Sequence, residues 1–125
     1  MTTRRLGRSK SGVNSSYFEK AAGLVRQARP RLAATHQLEF KNCFGAVAGY
    51  VNGSIFMSCG QFGVALRLPT PLLAQLFEAE DVKPLKYFSN GHVKKEYAVL
   101  PDRIVSDQQQ FRKLLDKSIE YSLLK

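Results

Sequence analysis

The sequence predicts an α+β domain in which helices pack against an antiparallel sheet. Three observations lead to this fold class: apolar residues recur at helical spacing near both ends of the chain, an Asn-Gly pair separates two runs of strand-forming residues, and prolines end the predicted strands. The predicted order is α-β-β-β-α-β-β-α. A chain of 125 residues suffices for one core, so residues 15–125 are expected to form a single domain.

The first helix is predicted to begin at a capping box, Ser16 to Glu19, in which hydroxyl and carboxylate satisfy free backbone N–H groups. Pro30 should end this helix near Arg29, because proline lacks an N–H and clashes with the preceding turn. The apolar positions are Phe18, Ala21, Ala22 and Val25.

Asn52-Gly53 predicts a tight hairpin, since both residues tolerate positive φ. Val51 should then oppose Ser54, and a second turn at Gly60-Gln61 should start a third strand. The resulting core face comprises Ala46, Ala48, Tyr50, Ile55, Met57, Cys59, Phe62, Val64 and Leu66. The opposite face comprises Val47, Gly49, Val51, Ser54, Phe56, Ser58, Gly63, Ala65 and Arg67. Its small side chains would let another surface approach closely.

The second half of the chain predicts a helix, a hairpin and a final helix. Thr70 is expected to cap the first of these helices, with Pro71 at its first position. Strands over residues 85–88 and 93–100 should flank a turn at 89–91. The last helix should start near Ser106 or Asp107 and carry an apolar stripe of Phe111, Leu114, Leu115, Ile119 and Leu123.

Positive charge is concentrated at the N-terminus. The net charge is +9, and residues 1–32 hold eight basic side chains and one acidic one, whereas residues 33–125 hold eleven and nine. Residues 1–14 are expected to form a disordered basic arm. The partner attracted by this charge would be nucleic acid or an acidic protein, with solubility as the competing explanation. The residues expected to contact nucleic acid are Arg4, Arg5, Arg8, Lys10 and Arg26.

The sequence offers no pattern typical of an enzyme, a cofactor site or a metal site. The glycine-rich run at 44–57 contains neither Gly-Lys-Ser/Thr nor Gly-x-Gly-x-x-Gly, so it predicts no phosphate-binding loop. His36 and His92 lie far apart in the chain, and Cys43 and Cys59 are expected to be buried thiols. We therefore expect no catalytic residue, cofactor or metal.

The sequence also indicates the cellular compartment of the protein. No apolar run is long enough to span a membrane, and the N-terminus has no apolar core typical of a secretory signal. With only two cysteines, the expected location is the reducing cytoplasm.

Arg67 is the side chain most suggestive of a ligand site. It is predicted on the small-residue face near Phe56, where a guanidinium beside a ring could bind an anion or a partner carboxylate. Lys94 could add positive charge. The alternative is that Arg67 pairs with an acid of its own chain.

Several segments resemble the N-terminal domain of TfoX/Sxy-type proteins. Cys43-Phe44-Gly45 stands where that family usually has Met-Phe-Gly, and a glycine turn precedes Phe56. The resemblance continues through residues 62–68 and through the segment KKEYAVLP before the final helix, and it spans about residues 18–123.

The resemblance implies a secretion-chaperone-like α+β fold and supplies no catalytic residues. Named members of the family regulate natural competence in bacteria, acting with a cyclic-AMP receptor protein at promoters. Longer regulators carry a second, helical domain, which this chain is expected to lack. The matching positions are expected to determine the fold: Phe44, Gly45, Gly53, Phe56 and Pro101.

Three functional hypotheses follow. The first is a non-enzymatic, TfoX-like regulator of gene expression or competence whose arm makes sequence-independent contact with nucleic acid. The second is an interaction or chaperone-like module that forms a homodimer through the small-residue face or an edge strand. The third is a small-ligand binder or enzyme around Arg67.

Overall fold

The computed structural model describes residues 12–87 and 91–125, with side chains from residue 16 onward. It is an α+β domain with one six-stranded antiparallel sheet, as predicted. The elements are α1 Gly12–Ala28, α2 Leu32–Thr35, β1 Leu38–Cys43, β2 Ala46–Val51, β3 Ser54–Gly60, β4 Gly63–Arg67, α3 Thr70–Leu76, β5 Lys83–Leu85, β6 Lys94–Leu100, α4 Asp102–Val105 and α5 Gln108–Leu123.

The sheet has the strand order β1-β2-β3-β4-β6-β5. Helix α1 packs across β1, β2 and β3, and α5 packs across β3 and β4. The main core lies between these helices and the sheet, where burial of apolar surface stabilises the fold. Its most deeply buried large side chains are Val25, Leu32, Val51, Phe56, Met57, Cys59, Leu66, Leu68 and Leu115.

The strand β1 was not predicted. Its connection to β2 is a two-residue turn at Phe44 and Gly45, both with positive φ, 52° and 80°. Asn52 and Gly53 adopt the same conformation, 48° and 84°, which confirms the predicted hairpin. Because phenylalanine has no preference for positive φ, the first turn leaves no signal in the sequence comparable to Asn-Gly.

A β-bulge in β3 changes the predicted register. Tyr50 opposes Ile55 as predicted, but Gly49 then opposes Met57, so Phe56 is an extra residue without a cross-strand partner. A bulge of this kind lets two consecutive side chains share a face, and Phe56 and Met57 both lie in the main core.

The bulge overturns part of the predicted assignment of faces. Met57, Cys59, Val64 and Leu66 lie on the helix-covered face as predicted, and Val51 and Phe56 join them there. The side chains predicted for the core face but found on the opposite one are Ala46, Ala48, Tyr50, Ile55 and Phe62. The turn after β3 comprises Gln61 and Phe62 instead of Gly60 and Gln61. Met57 therefore opposes Leu66 instead of Val64, and this shift of two residues leaves Val64 and Leu66 on the predicted face.

Two buried serines of α5 bind the carbonyl groups at the bulge. Ser118 Oγ donates to the Phe56 carbonyl oxygen at 2.6 Å, and Ser122 Oγ donates to that of Ile55 at 2.9 Å. The two serines are four residues apart, so they lie on one side of the helix. These bonds satisfy backbone oxygens in a buried environment, where an unpaired carbonyl is costly.

The helix ends differ slightly from the prediction. Helix α1 begins at Gly12, ahead of the predicted capping box at Ser16, and α3 has Pro69 rather than Thr70 as its N-cap residue. Helix α5 starts where predicted, since Asp107 accepts bonds from the backbone N–H groups of Gln109 and Gln110, both at 3.1 Å.

The packing around Gly49 predicts that Gly49→Ala destabilises the protein. A β-carbon there would lie 2.8 Å from Met57 Cγ and 3.0 Å from Phe40 Cε1, which requires core side chains to move at a cost of about 1–3 kcal/mol. Urea unfolding measures the change. In the control Gly23→Ala, the new methyl group meets nothing within 4 Å, and the helix should gain up to about 1 kcal/mol. Equal effects of the two substitutions would contradict this packing.

The bulge contacts predict that Ser118→Ala destabilises the protein more than Ser122→Ala. Removing the Ser118 hydroxyl takes a donor from the buried Phe56 carbonyl, at a cost of about 1–3 kcal/mol. The Ile55 carbonyl, by contrast, still accepts from Arg67 Nη1 at 3.2 Å when Ser122 is changed. Urea unfolding of both variants tests the order, and a reversed order would refute it.

Candidate functional site

A contiguous basic surface lies on α1 and the start of α5. Lys20 and Arg26 are exposed and flank a groove on α1 that also contains Glu19, Leu24 and Gln27. Leu24 and Gln27 also line a second cavity, of about 210 Å³, whose far wall includes Arg112 of α5. We call Lys20, Arg26 and Arg112 the basic surface.

None of these three cations forms an ion pair with another described residue. Arg29, on the same helix, differs because its Nη1 lies 2.7 Å from Asp116 Oδ1. Sequence reasoning identified Arg26 but missed Arg112, which only the packing of α5 beside α1 brings near it. The other residues predicted to contact nucleic acid, Arg4, Arg5, Arg8 and Lys10, lie outside the described residues.

Arg67 is engaged by its own chain. Its Nε donates to Glu96 Oε1 at 2.9 Å, its Nη1 donates to the Ile55 carbonyl at 3.2 Å, and its side chain is 17% exposed. The guanidinium carbon also lies 5.7 Å from the centre of the Tyr121 ring. Arg67 therefore pairs with an acid of its own chain, which was the alternative to a ligand site in the sequence analysis. An external anion would have to displace the Glu96 carboxylate.

Glu96 is the centre of this cluster, and the sequence did not single it out. It has φ 75° in an irregular part of β6, a conformation that costs about 1–3 kcal/mol for a residue other than glycine. Its second oxygen, Oε2, accepts from the Tyr121 hydroxyl at 2.9 Å and lies 3.8 Å from Lys125 Nζ. The bonds from Arg67 and then from Tyr121 lower the pKa of the Glu96 carboxyl.

The other two residues predicted to accompany Arg67 lie in different environments. Phe56 is fully buried in the main core because the bulge turns it inward, so its ring cannot contact a ligand at the surface. Lys94 is exposed, and its Nζ lies 5.9 Å from the centre of the Tyr87 ring. It borders a shallow groove of about 400 Å³ between α3 and β6, together with the exposed Phe77 and Val93.

The small-residue face of the sheet is covered from within the chain. Ala48, Ser58 and Ala65 follow one another across β2, β3 and β4, and all three are fully buried. The Tyr87 hydroxyl donates to Ser58 Oγ at 3.1 Å, and the Tyr87 ring stacks edge-on against Phe62. Burial raises the Tyr87 pKa. The close approach predicted for Ser58 and Ala65 is thus made by Tyr87, which covers these two positions from within the chain.

The thiols and histidines form no recognisable catalytic group in the described part of the chain. Cys59 is buried, which raises its pKa, and Cys43 is half-buried with its Sγ 3.8 Å from the Tyr87 hydroxyl. His36 Nδ1 lies 2.8 Å from the Thr35 hydroxyl, and His92 is exposed. Among residues 12–87 and 91–125, no three His, Cys, Asp or Glu side chains are grouped to hold a metal ion.

The same residues include no helix with the length and apolar character needed to cross a membrane.

The Glu96 cluster predicts a stability difference that depends on pH. A carboxyl whose pKa is lowered by folding stabilises the protein above its unfolded pKa of about 4.3, and this stabilisation is lost as the pH falls through the folded value. Glu96→Gln should therefore lower the free energy of unfolding by about 1 kcal/mol at pH 7, a modest value because the side chain is 32% exposed.

The wild type and the variant should converge progressively as the pH falls from about 4.3 through the lower folded pKa of Glu96. Urea unfolding across pH measures this, with Glu120→Gln as control. The Glu120 carboxylate is exposed and lies 4.0 Å from Lys117 Nζ, so its removal should change stability by under about 0.5 kcal/mol. If the difference in free energy of unfolding between the wild type and Glu96→Gln stays constant from neutral to acidic pH, the lowered pKa of Glu96 does not stabilise the fold.

Comparison with known proteins gives one informative match. A sequence model of the TfoX N-terminal domain matches residues 31–122, while the comparison with curated proteins gives no match. The matched segment runs from α2 through α5 and includes the whole sheet, the bulge and the Glu96 cluster. It begins after α1, later than the resemblance expected from residue 18. Since the match covers most of the chain, the protein belongs to the TfoX N-terminal domain family.

Proposed function

We propose that this protein is a non-enzymatic regulator of gene expression that binds nucleic acid through its basic N-terminal region and the basic surface. The observation that carries the proposal is the separation of charge: residues 1–32 hold eight basic side chains and one acid. Two members of that group, Lys20 and Arg26, join Arg112 in one exposed surface. The remainder of the chain is close to neutral.

The chemistry of this surface suits a phosphate backbone. Exposed Lys and Arg side chains without internal ion pairs can neutralise phosphates and release counterions, and the resulting affinity depends steeply on salt. The amide side chains of Gln27, Gln108 and Gln109 line the cavity beside Arg112 and can donate to phosphate or sugar oxygens. Such contacts position a protein on nucleic acid without reading its sequence, so the proposal is for sequence-independent contact.

The family supports a binding role more than a catalytic one, since the TfoX domain is not a known enzyme family. The proposal places the protein in the cytoplasm, where nucleic acid is accessible. Specificity for a promoter would come from a partner protein, because the basic surface supplies charge and amides and not a recognition helix.

The proposal predicts salt-dependent binding to a labelled DNA duplex, measured by fluorescence anisotropy. Between about 0.05 M and about 0.2 M salt the affinity should fall steeply. Replacing Lys20, Arg26 and Arg112 together by Gln should reduce the magnitude of the slope of log affinity against log salt by about 2 to 3, since each phosphate contact contributes about 0.9 to that slope. A second variant with Arg4, Arg5, Arg8 and Lys10 changed to Gln measures the contribution of the arm.

The matched control changes Lys83, Lys86 and Lys95 to Gln, which removes the same charge from exposed positions near the opposite edge of the sheet. It should keep the wild-type slope. If the control lowers the slope of log affinity against log salt as much as the basic-surface variant does, binding depends on net charge alone. Absence of binding at moderate salt would overturn the proposal and favour an acidic protein as the partner.

A further inference from the structure

The two edges of the sheet are protected to very different degrees. β5 is three residues long, contains Pro84 and is irregular in its pairing with β6, features that prevent another strand from adding to an edge. β1 has six residues, all six paired with β2 in unbroken register. β1 is an edge strand in the order of the described sheet, so it offers a regular edge.

The hydrogen-bonding direction of β1 follows from its pairing. The Asn52 N–H donates to the Gln37 carbonyl, and Cys43 and Ala46 close the two-residue turn. Because alternate residues bond to the neighbour in an antiparallel ladder, odd-numbered residues of this strand bond to β2. Leu38 and Phe40 therefore direct their backbone N–H and C=O groups outward.

The charges on β1 complement a second copy of the same strand. Glu39 and Lys41 lie on one face, are 51% and 59% exposed, and have Oε1 and Nζ 3.9 Å apart within the strand. In an antiparallel pair with its two-fold axis at Phe40, each Glu39 would oppose the Lys41 of the other copy. These are non-hydrogen-bonded positions, where Cα atoms are about 4.5 Å apart and side chains are closest.

The same charges disfavour neighbouring registers. An axis at Glu39 would place the two Glu39 carboxylates opposite each other, and an axis at Lys41 would place the two ammonium groups opposite each other. Like charges at directly opposed positions are unfavourable. The register centred on Phe40 satisfies both the charges and the outward backbone groups.

Aromatic surface on the helix side of β1 fits the same arrangement. Phe18 of α1 is 46% exposed and stacks edge-on against Phe40, with ring centres 5.7 Å apart. An axis at Phe40 would bring the two Phe18–Phe40 pairs together. Each exposed Phe18 ring would then be covered by its counterpart in the other copy, which removes apolar surface from water.

We propose that β1 is a homodimer interface: two copies pair antiparallel about Phe40 and join their six-stranded sheets into one continuous sheet. The interface is isologous, so each contact occurs twice. It lies apart from the cavity at Arg112, and its failure would leave the proposed nucleic-acid contact untouched.

Sedimentation equilibrium of the full chain at about 0.15 M salt tests this proposal, since screening there limits repulsion between the positively charged copies. Over about 1 to 100 µM the wild type should show a reversible dimer. Lys41→Glu places carboxylates opposite each other and should raise the dimer Kd by at least about tenfold. Glu39→Lys places ammonium groups opposite each other and should do the same, although it changes the net charge in the opposite direction.

The decisive variant carries both Glu39→Lys and Lys41→Glu. It restores opposite charges across the axis and keeps the wild-type net charge, so its dimer Kd should return to within about threefold of wild type. Lys117→Glu, on the exposed side of α5, should have no effect. Circular dichroism confirms that each variant is folded. A wild type that stays monomeric, or a dimer that both single variants leave unchanged, would overturn the proposal.

Discussion

A single extra residue in β3 determines which side of the sheet its neighbours occupy. With Phe56 inserted, Phe56 and Met57 enter the core together, and the β3 side chains after the bulge lie on the face opposite to the one a regular hairpin would give them. Next to the bulge, the Phe56 and Ile55 carbonyls accept hydrogen bonds from outside the hairpin, and Ser118, Ser122 and Arg67 supply the donors. The position of α5 on the sheet is thus tied to the bulge by hydrogen bonds as well as by apolar packing.

The bulge and the Glu96 cluster form one connected structure. Arg67 bonds to the Ile55 carbonyl at one end and to Glu96 at the other, and Glu96 also accepts from Tyr121 of α5. Four elements, β3, β4, β6 and α5, therefore meet through charged and polar groups that are mostly shielded from water. Polar networks of this kind favour one arrangement of the packed elements, because partly satisfied alternatives leave polar groups buried without partners.

The sequence allowed much of the fold to be predicted, and the errors have identifiable causes. The Asn52-Gly53 turn, the Asp107 cap and most of the apolar stripe of α5 could be predicted because each depends on local chemistry, although Leu123 is exposed. β1 was missed because its turn uses Phe44, and the face assignment failed at Phe56 because nothing local marks an inserted residue. For the site, Arg26 was found from charge, whereas Arg112 and Glu96 acquire their neighbours only through tertiary packing.

The row formed by Ala48, Ser58 and Ala65 has a consequence for how this family can diverge. It lies on the side of the sheet away from α1 and α5, where substitutions are usually tolerated, yet its members are fully buried. Tyr87 fills the space above Ser58 and Ala65. A larger side chain in the row would displace that ring, so sequence change at these positions should be coupled to change at position 87. In related sequences the row should therefore vary like a protein interior, with compensating pairs of substitutions linking it to a distant segment of the chain.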